Sequence, residues 1–337
     1  MKINNISLED DLRYQESILK SVSRTFALTI PLLPKNLEKV VGNTYLLCRI
    51  VDTIEDAAQI TVDQKKILSD LFLEAVLGQQ GHDIPAAKLK IDAFILACIN
   101  ALKSYPNQNE LDLIQNTATV LRILQSCSQE EKVAIGRCIS IMSNGMSRFH
   151  AKQNKDGLAD LQEFEEYCYV VAGVVGEMLT SVFALKSPLF AKAIKNKEGL
   201  ARAFGQALQM TNILKDSPDD RQRGVNWKPK DLNHSQLIAI AQKKLDESLT
   251  YIHLIPKNEF GIRRFCILAF GLAVLTIKRI KLADNFQSGH DVKLSRNTVK
   301  TFYIYSWLAA RSLFFLDLFY KLNKSSFNHP MIKKMKH

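Results

Sequence analysis

The chain has 337 residues, of which 47% are hydrophobic, with 14 glycines and 9 prolines. This length allows one large domain or two ordinary ones, and the scarcity of Gly and Pro disfavours a turn-rich β architecture. Lys and Arg outnumber Asp and Glu by 45 to 34, which suits an anionic partner. Because the surplus is spread along the chain and no zinc-finger spacing or RNA-binding aromatic signature is present, we expect no nucleic-acid partner.

The N-terminal segment, Met1 to Asp11, is polar and acidic, so we do not interpret it as a secretory signal. The six cysteines form no CxxC pair, and most lie inside apolar helical patterns. Free cysteine is commonly a core residue, so we expect reduced, buried thiols in a reducing compartment. Together these features favour a cytoplasmic protein.

Helical periodicity dominates the chain, and no long stretch alternates with period two. The predicted helices are Glu38 to Ala58, Leu68 to Leu77, Ala86 to Leu102, Leu111 to Leu124, Lys132 to His150, Leu161 to Leu185, Gly199 to Asp216, Ser235 to Ile255, Ile262 to Ala283 and Arg296 to Leu322. We therefore predict an all-α protein with a single domain, 1–337, made of about ten helices around a central cavity. Its core is expected at 15–323, followed by a basic tail at 324–337.

No uninterrupted apolar run reaches the length needed to span a bilayer. The nearest candidate, Tyr303 to Leu322, is interrupted by Arg311 and Asp317. The basic residues that end it and follow it are Lys321, Lys324, Lys333, Lys334 and Lys336. An apolar helix with a basic tail suits peripheral binding to an anionic membrane, and it equally suits a core helix followed by a solvated tail.

The first acidic motif lies in the predicted helix that begins at Glu38. Tyr45, Arg49, Asp52 and Asp56 are spaced i, i+4, i+7 and i+11, so they share one stripe, with Glu55 beside it. Clustered carboxylates repel one another unless a cation joins them, and Mg²⁺ often takes one or two carboxylates plus substrate phosphates. The alternative is a solvated acidic helix face, which is common on protein surfaces.

The second acidic motif repeats this arrangement near residue 216. Gln209, Asn212 and Asp216 form a polar stripe on an apolar helix, and Asp220 follows one turn later with Asp219 between. The basic residues that follow at once are Arg221, Arg223 and Lys228. Two such stripes facing one cavity would hold bridging Mg²⁺, and the cations would bind a departing diphosphate.

That combination suits one kind of chemistry. Metal ions and cationic side chains withdraw diphosphate from an allylic carbon and leave a carbocation, which an apolar wall protects from water. The two motifs therefore predict an Mg²⁺-dependent enzyme acting on allylic diphosphates.

The sequence resembles the squalene and phytoene synthase family, whose members have the all-α terpenoid synthase fold. The segments that carry the resemblance are Val22 to Ala27, Tyr45 to Asp56, Tyr167 to Gly176, Gln206 to Trp227, and Phe265-Cys266 with the apolar helix after it. They occur in the order found in the family and span roughly residues 20 to 300. The resemblance implies the terpenoid synthase fold and farnesyl diphosphate as substrate.

The resemblance also implies a role for each matching residue. The residues implied to ligate Mg²⁺ are Asp52, Glu55, Asp56, Asn212, Asp216 and Asp220. Those implied to bind substrate diphosphate are Ser23, Arg24, Tyr45, Arg49, Gln209, Asn212, Lys215 and Arg223. Tyr167 is expected in the cavity beside the first carbocation, where it would help a proton leave. Gly173 and Gly176 are expected to permit close approach of helices.

Two departures from the family pattern stand in the second motif. Val225 occupies the position where an Arg often precedes the aromatic-x-Pro end of the motif, so Arg223 or Arg221 is expected to replace it. Pro218 removes a helix hydrogen bond and clashes one turn back, so we expect a kink or a new turn before Asp220. We accordingly predict that Asp216 matters more than Asp220.

The leading functional hypothesis is head-to-head condensation of two farnesyl diphosphates, followed by NADPH-dependent reduction to squalene. The motif Asp52-Thr-Ile-Glu-Asp56 favours this squalene-forming branch. No GxGxxG motif is present, so an NADPH site would not be of the Rossmann type. The enzyme alternative forms dehydrosqualene or phytoene without reduction, and the non-enzyme alternative is a helical protein of the membrane surface.

Overall fold

The protein folds as a set of packed α-helices. The computed structural model describes residues 7–23, 25–81, 84–151, 156–283 and 285–325. Within those ranges there is no β-strand, and Leu158 forms an isolated parallel bridge with Pro229. The prediction of an all-α protein is thereby confirmed.

The chain divides into two compact units. The first comprises Met1–Lys152 with Met178–Lys186, and the second comprises Gln153–Glu177 with Ser187–His337. The single domain and the central cavity expected from the sequence stay predictions.

The first unit is built around one long helix, α3. Its helices are α1 (Leu8–Val22), α2 (Phe26–Thr29), α3 (Lys35–Asp56), α4 (Val62–Gly78), α5 (Ile84–Ala101), α6 (Gln108–Gln115), α7 (Thr117–Gln125) and α8 (Gln129–Ala151), with a 3₁₀ turn at Ile30–Leu32 after α2. Helices α1, α4, α6, α7 and α8 all pack on α3. Leu46, Leu47, Ile50 and Ile54 of α3 are fully buried, because apolar residues flank its acidic stripe on both sides.

The second unit is built around the helix that carries the second acidic motif. Its elements are α9 (Leu161–Cys168), a π-helical segment (Tyr169–Gly173), α10 (Val174–Lys186), α11 (Pro188–Ile194), α12 (Glu198–Gln222), α13 (His234–Leu254), α14 (Phe260–Leu282), α15 (Arg296–Arg311) and α16 (Leu313–Ser325). Helix α10 continues into residues of the first unit. Helix α12 packs on α9, the π segment, α13 and α14.

Two predicted helices are each divided in the structure, so those predictions were wrong about continuity. The stretch from Leu111 to Leu124 breaks at Asn116, whose side-chain amide donates to the carbonyl of Asp112 at 2.9 Å. Asn is well suited to such local backbone bonding, which competes with the helix ladder. The stretch from Arg296 to Leu322 breaks at Ser312, which adopts the extended conformation with φ −142° and ψ 114°.

The sequence reading missed two helices that begin with capping signals. Helix α1 starts after Ser7, whose hydroxyl accepts from the amide of Asp10 while the Asp10 carboxylate accepts from the amide of Ser7. Helix α11 starts after Ser187 with Pro188 at its first position. Both signals are recognised helix starts. Helix α11 has only seven residues, whereas α1 has apolar residues at helical spacing that the sequence analysis overlooked.

A helix can have the length and mean apolarity of a membrane span even where charged residues interrupt its apolar run. Two helical stretches, Leu161–Lys186 and Phe260–Leu282, have this length and apolarity. Half of the most apolar window of the first is buried inside the protein, as is 72% of that of the second. Core helices of soluble proteins share this property.

Glycines let α12 approach the π segment and α10 closely. A Cβ atom added to Gly205 of α12 would lie 2.0 Å from the carbonyl oxygen of Ala172. One added to Gly176 of α10 would lie 2.1 Å from the carbonyl oxygen of Ala201. Backbone atoms have little freedom to move away, so both positions require the absence of a side chain. Close helix approach at Gly176 agrees with the sequence prediction.

We predict that Gly205→Ala lowers the free energy of unfolding by at least about 2 kcal/mol, because an overpacked backbone contact forces helices apart. Gly199→Ala is the matched control on the same helix, since its added Cβ would meet nothing within 4 Å. The control should be neutral or stabilising by up to about 1 kcal/mol. Urea unfolding followed by circular dichroism measures both changes, and equal effects would contradict the packing argument.

Candidate active site

The first acidic motif is held by a chain of polar contacts along α3. The hydroxyl of Tyr45 donates to the carbonyl of Val22 at 3.1 Å and accepts from Arg49 Nη2 at 3.0 Å. Arg49 Nη1 lies 3.6 Å from the carboxylate of Asp52. This chain fixes the orientation of Arg49, so the predicted stripe from Tyr45 to Asp52 is a connected network in the structure.

Burial makes Asp52 an unusual carboxylate. Its side chain is 27% exposed, and burial raises its pKa to about 7 against the opposing attraction of Arg49. The neighbouring carboxylates of Asp56 and Glu110 contribute to this increase. Negative charge is therefore concentrated here beyond what Arg49 offsets, and a cation bound at this position would be stabilised.

Sequence reasoning missed Glu110 as a member of this group. It lies on α6, and its carboxylate accepts from the hydroxyl of Tyr105 at 2.6 Å. No sequence signal links it to Asp52, because the two residues are far apart in the chain and only the packing of α6 on α3 brings them together.

Glu55 differs from its two acidic neighbours on α3. Its side chain is buried and accepts from the hydroxyl of Ser69 on α4 at 3.1 Å, whereas Asp56 is exposed at the end of α3. Burial raises the pKa of the Glu55 carboxyl. The metal-ligand role predicted for Glu55 stays a prediction, and the structure directs its carboxylate toward α4.

Ser23 ends helix α1 and begins the turn that leads to α2. It is buried, and its hydroxyl accepts from the amide of Phe26 at 3.0 Å. The ring of Phe26 lies 5.2 Å from that of Tyr45, centroid to centroid. The turn therefore lies against the first motif, as the diphosphate role of Ser23 requires. The other predicted residue of this turn, Arg24, lies outside the described residues.

Helix α12 continues through Pro218, so the expectation that this proline begins a new turn was wrong. The helix extends from Glu198 to Gln222 and carries Asp216 and Asp220 one turn apart. Proline leaves the carbonyl one turn back without its usual donor. Here the carbonyl of Leu214 accepts from the hydroxyl of Ser217 at 3.4 Å, which partly replaces the missing bond.

The carboxylates of the second motif each have a partner. Lys215 Nζ lies 3.2 Å from the Asp216 carboxylate, and Arg223 Nη2 lies 2.5 Å from that of Asp220. Asp219 accepts from the amide of Gly289 at 2.9 Å. Burial raises the pKa of both Asp216 and Asp220, while the basic neighbours oppose that change.

The loop that contains Gly289 lies directly against this motif. A Cβ added to Gly289 would be 2.7 Å from Asp216 Oδ1 and 3.1 Å from Asp219 Oδ2. Ser288 adds a hydroxyl 3.4 Å from Asp219. A side chain at Gly289 would require the Asp216 carboxylate to shift. Sequence reasoning recognised Ser288 and Gly289 as a turn and missed their contact with the motif.

The basic residues after Asp220 separate into two places. Arg223 pairs with Asp220, and the amide of Val225 donates to the Asp220 carbonyl at 2.9 Å. Arg223 is therefore the cation beside the motif where Val225 departs from the family pattern. Arg221 and Lys228 line a cavity to which none of the predicted site residues contributes, and the diphosphate contact expected of all three cations stays a prediction.

The polar stripe of α12 runs back from Asp216 along the helix. Asn212 is exposed and Gln209 is half-buried. Asn212 and Asp216 follow Gln209 by three and seven residues, so all three side chains lie on one side of the helix. The stripe thus has the arrangement predicted from the sequence.

Tyr167 occupies the end of α9, immediately before the π segment. Its side chain is buried and its ring stacks on Trp227, with centroids 4.1 Å apart and planes 8° apart. Such stacking fixes the ring and thereby the direction of its hydroxyl. The π segment was not predicted, and segments of this kind are frequent at functional sites.

An ion-pair network spans the π segment. Arg202 of α12 donates to Glu177 Oε1 at 2.8 Å and lies over the ring of Tyr169, 4.7 Å from its centroid. The hydroxyl of Tyr169 donates to Glu177 Oε2 at 3.2 Å. These three side chains connect the two ends of the segment to α12, which holds the backbone after Tyr167 in place.

The two aspartate pairs have the donor chemistry that Mg²⁺ prefers. Among the described residues, no three or more His, Cys, Asp or Glu side chains are grouped so that they alone hold a metal ion. Asp52 with Asp56, and Asp216 with Asp220, each present two carboxylates one turn apart on a single helix. Mg²⁺ suits such a partial ligand set when phosphate oxygens and water complete its coordination.

Residues 19–236, more than half of the chain, match the family model described as squalene/phytoene synthase. The chain belongs to the squalene/phytoene synthase family. The match covers α3, Tyr167 and the whole of α12, so both acidic motifs lie within the family region.

Curated relatives in this family include fungal and algal proteins. The chain is 25% identical to squalene synthase R6 of Phoma sp., over 77% of this chain and 63% of the relative. It is 30% identical to squalene synthase BSS of Botryococcus braunii, over 63% of this chain and 41% of the relative. The chain thus covers less than two thirds of the length of these relatives.

Solved structures confirm the terpenoid synthase fold expected from the family resemblance. A structure of TcSQS with a ligand is 22% identical, with a TM-score of 0.75, covering 96% of this chain and 93% of that one. A dehydrosqualene synthase in complex with a ligand is 19% identical, with a TM-score of 0.52, and the match covers 94% of this chain and 98% of that one.

We predict that Asp52 makes the metal-free protein less stable as the pH rises from about 4 to about 7. Because its folded pKa lies above its unfolded value, the native state keeps a proton in this window that the unfolded chain releases. The free energy of unfolding should fall by about 2 to 4 kcal/mol from this group, with partial exposure favouring the lower value.

Urea unfolding in EDTA at a series of pH values measures the effect. Asp52→Asn should lose this part of the pH dependence, while Asp92→Asn, at an exposed position on α5, should retain it. The same pH dependence in both variants would contradict the assignment of the raised pKa to Asp52.

Proposed function

We propose that this protein catalyses the Mg²⁺-dependent head-to-head condensation of two farnesyl diphosphates to presqualene diphosphate, followed by NADPH-dependent reduction to squalene. The observation that carries the proposal is the pair of aspartates on each of two largely buried helices, α3 and α12, inside the region that matches the family. Each pair has a cation beside it, namely Arg49 and Arg223.

In this proposal the two motifs face one apolar cavity. Asp52 and Asp56 on one side, and Asp216 and Asp220 on the other, would hold Mg²⁺, with Asn212 and Glu55 as further candidate ligands. Bound Mg²⁺ supplies Lewis-acid stabilisation of the departing diphosphate. Two carboxylates alone leave most of the metal coordination to water and to phosphate oxygens of the substrate.

The protein side chains divide the remaining work. Arg49 and Arg223 would neutralise diphosphate oxygens, since a guanidinium binds phosphate through two parallel hydrogen bonds. Lys215 would act in the same way beside Asp216, while Ser23, Arg24, Tyr45 and Gln209 keep their proposed contacts with substrate. Exclusion of water by the apolar helix faces would protect the allylic cation.

Tyr167 is proposed to assist proton loss from the first carbocation. Its ring is fixed by stacking on Trp227, so its Oη has a defined position from which to accept or relay a proton. The sequence carries no GxGxxG motif, so NADPH would bind without a Rossmann-type site.

Identification of the hydrocarbon product tests the proposal. The full chain is incubated with farnesyl or geranylgeranyl diphosphate and Mg²⁺, with and without NADPH. Squalene that forms only with NADPH supports the proposal, whereas a conjugated triene formed regardless of NADPH favours the dehydrosqualene or phytoene alternative. If no hydrocarbon forms, and if Asp52→Asn binds a farnesyl diphosphate analogue as well as the unaltered chain does, the non-enzyme alternative is favoured.

We predict that Asp216→Ala lowers kcat/KM by two or more orders of magnitude, as loss of a transition-state electrostatic partner commonly does. Asp220→Ala should cost about tenfold, because Arg223 already neutralises Asp220 at 2.5 Å and the loss is partly offset when Arg223 is released to bind phosphate. Steady-state kinetics with equal far-ultraviolet circular dichroism for both variants gives the comparison. Abolished turnover in Asp220→Ala with turnover spared in Asp216→Ala would reverse the ranking.

A membrane surface is the second proposed partner. Helices α15 and α16 expose Ile304, Trp307 and Phe314 at 72%, 45% and 66%, with Leu318 and Leu322 also exposed. Arg311 stacks over Trp307 at 4.3 Å from the ring centroid, which places positive charge beside this apolar surface. Exposed aromatic and aliphatic side chains with basic neighbours suit an interface with anionic lipid.

Co-sedimentation with vesicles tests this partner. We predict that the protein binds vesicles containing phosphatidylserine and that Phe314→Ser weakens this binding by roughly tenfold, since burial of its ring in lipid is lost. Leu96→Ser, at a position of 62% exposure on α5, is the control and should bind as the unaltered chain does. Equal binding by both variants would exclude α16 as the contact surface.

A further inference from the structure

A cavity of about 780 Å³ opens in the second unit, beside the C-terminal end of α12 and the first turns of α13. The side chains that carry the argument are Arg221, Lys228, Lys230, His234, Gln242 and Phe286. Its volume lies in the range of sites that hold small organic ligands.

The cavity lies on a different face of α12 from the second acidic motif. Ser217 and Arg221 line it, and each follows an aspartate of the motif by one residue. One residue along a helix is a rotation of about 100°, so these side chains point away from Asp216 and Asp220. The cavity is therefore separate from the metal-binding stripe proposed above.

The lining is strongly positive. Arg221, Lys228, Lys230 and Lys281 contribute four cations, and Asp156 is the carboxylate among the described lining residues. Burial and the charge of Arg221 lower the pKa of Lys228 to about 8. Burial, with the charges of Lys228 and Arg221, also lowers the pKa of His234. Burial is the larger cause of both changes, and repulsion between the basic groups adds to it, so an anion placed among these groups would be bound favourably.

The backbone holds these cations in a defined arrangement. The amide of Leu158 donates to the Lys228 carbonyl at 3.1 Å, and the Leu158 carbonyl accepts from the amide of Lys230 at 3.0 Å. Gly157 has φ +92°, and a Cβ there would lie 2.3 Å from the Lys228 carbonyl. The segment bearing Lys228 and Lys230 is thus fixed before any ligand arrives.

Two further features favour an anion at this place. Helix α13 begins at His234, and the N-terminal end of a helix carries partial positive charge. The Nε2 atom of Gln242 is buried without a hydrogen-bond partner in the described structure, and Gln242 lines the cavity. A buried donor without a partner is costly, and a phosphoryl oxygen would satisfy it.

Part of the remaining lining is apolar or aromatic. Ile238 and Phe286 contribute to it, and the ring of Phe286 lies 6.3 Å from that of His234. The cavity thus combines a cationic part with a surface that suits a ring or a hydrocarbon group. A bare inorganic ion would use only the first of these.

We propose that this cavity binds an organic phosphate, namely a phosphoryl dianion attached to an aromatic or apolar body, without the help of a metal ion. Arg221 and Lys228 would bind the phosphoryl oxygens, Gln242 Nε2 would donate to one of them, and Phe286 would contact the organic part. The proposal goes beyond the condensation reaction and does not depend on it.

Isothermal titration of the full chain in EDTA tests the proposal, with phenyl phosphate and inorganic phosphate as probes. We expect saturable binding of phenyl phosphate, roughly tenfold tighter than that of inorganic phosphate, because burial of the ring adds apolar contact. Arg221→Gln and Lys228→Gln should each weaken phenyl phosphate binding by about tenfold, since each removes a charge-assisted hydrogen bond. Lys243→Gln removes the same charge from an exposed position on α13 and should bind normally.

Absence of saturable binding, or equal weakening by Lys243→Gln and the two cavity variants, would overturn the proposal. Thermal unfolding identifies a variant that fails to fold, and the other cavity variant then gives the answer. Asp216→Asn should abolish Mg²⁺-dependent binding of a farnesyl diphosphate analogue while leaving phenyl phosphate binding intact, so failure of this proposal is distinguishable from failure of the proposed reaction.

Discussion

The candidate active site depends on two carboxylates, Asp52 and Asp216, on helices α3 and α12, whose other faces are buried. Asp52 and Asp216 both have pKa values raised by burial, and each has one basic side chain within 4 Å. A charge in such a place is costly unless other charges compensate it. Natural folds retain that cost where a bound cation removes it, so the raised pKa values are physical support for metal-dependent chemistry that composition alone does not provide.

Close backbone contacts determine where these carboxylates lie. Gly205 and Gly176 allow α12 to pack against its neighbours at a separation that a Cβ would prevent, and Gly289 allows a loop to rest against Asp216. The loop amide at Gly289 in turn engages Asp219. The middle aspartate of the second motif therefore holds the loop, and the same loop lies beside the carboxylate of Asp216.

Much of this arrangement could be predicted from the sequence, because helical periodicity alone relates residues three, four and seven apart. The stripe from Tyr45 to Asp56 and the stripe from Gln209 to Asp220 follow from that rule. Pro218 misled the prediction, since a proline penalty of a few kcal/mol is small beside the tertiary packing of a long helix and Ser217 partly satisfies the freed carbonyl.

Contacts between different helices could not be predicted from the spacing of residues within one helix. Glu110 reaches the surroundings of Asp52 only through the packing of α6 on α3, and the stacking of Tyr167 on Trp227 joins residues sixty positions apart in the sequence. The break at Ser312 shows the same limit, because an apolar pattern continues across a residue whose backbone is extended. Pattern analysis describes faces of elements, and the contacts between elements require the folded chain.

The end of α12 shows how a short polar run produces two sites of opposite charge. Aspartates at 216 and 220 recur every fourth residue and share one face, while Ser217 and Arg221 recur with the same spacing about 100° away. Arg223 then returns to the acidic face and pairs with Asp220, whereas Arg221 and Lys228 line the cavity. Sequence proximity suggested one cluster of cations around one diphosphate. Helix geometry separates them, because the direction of a side chain changes with every residue while the distance along the chain hardly changes at all.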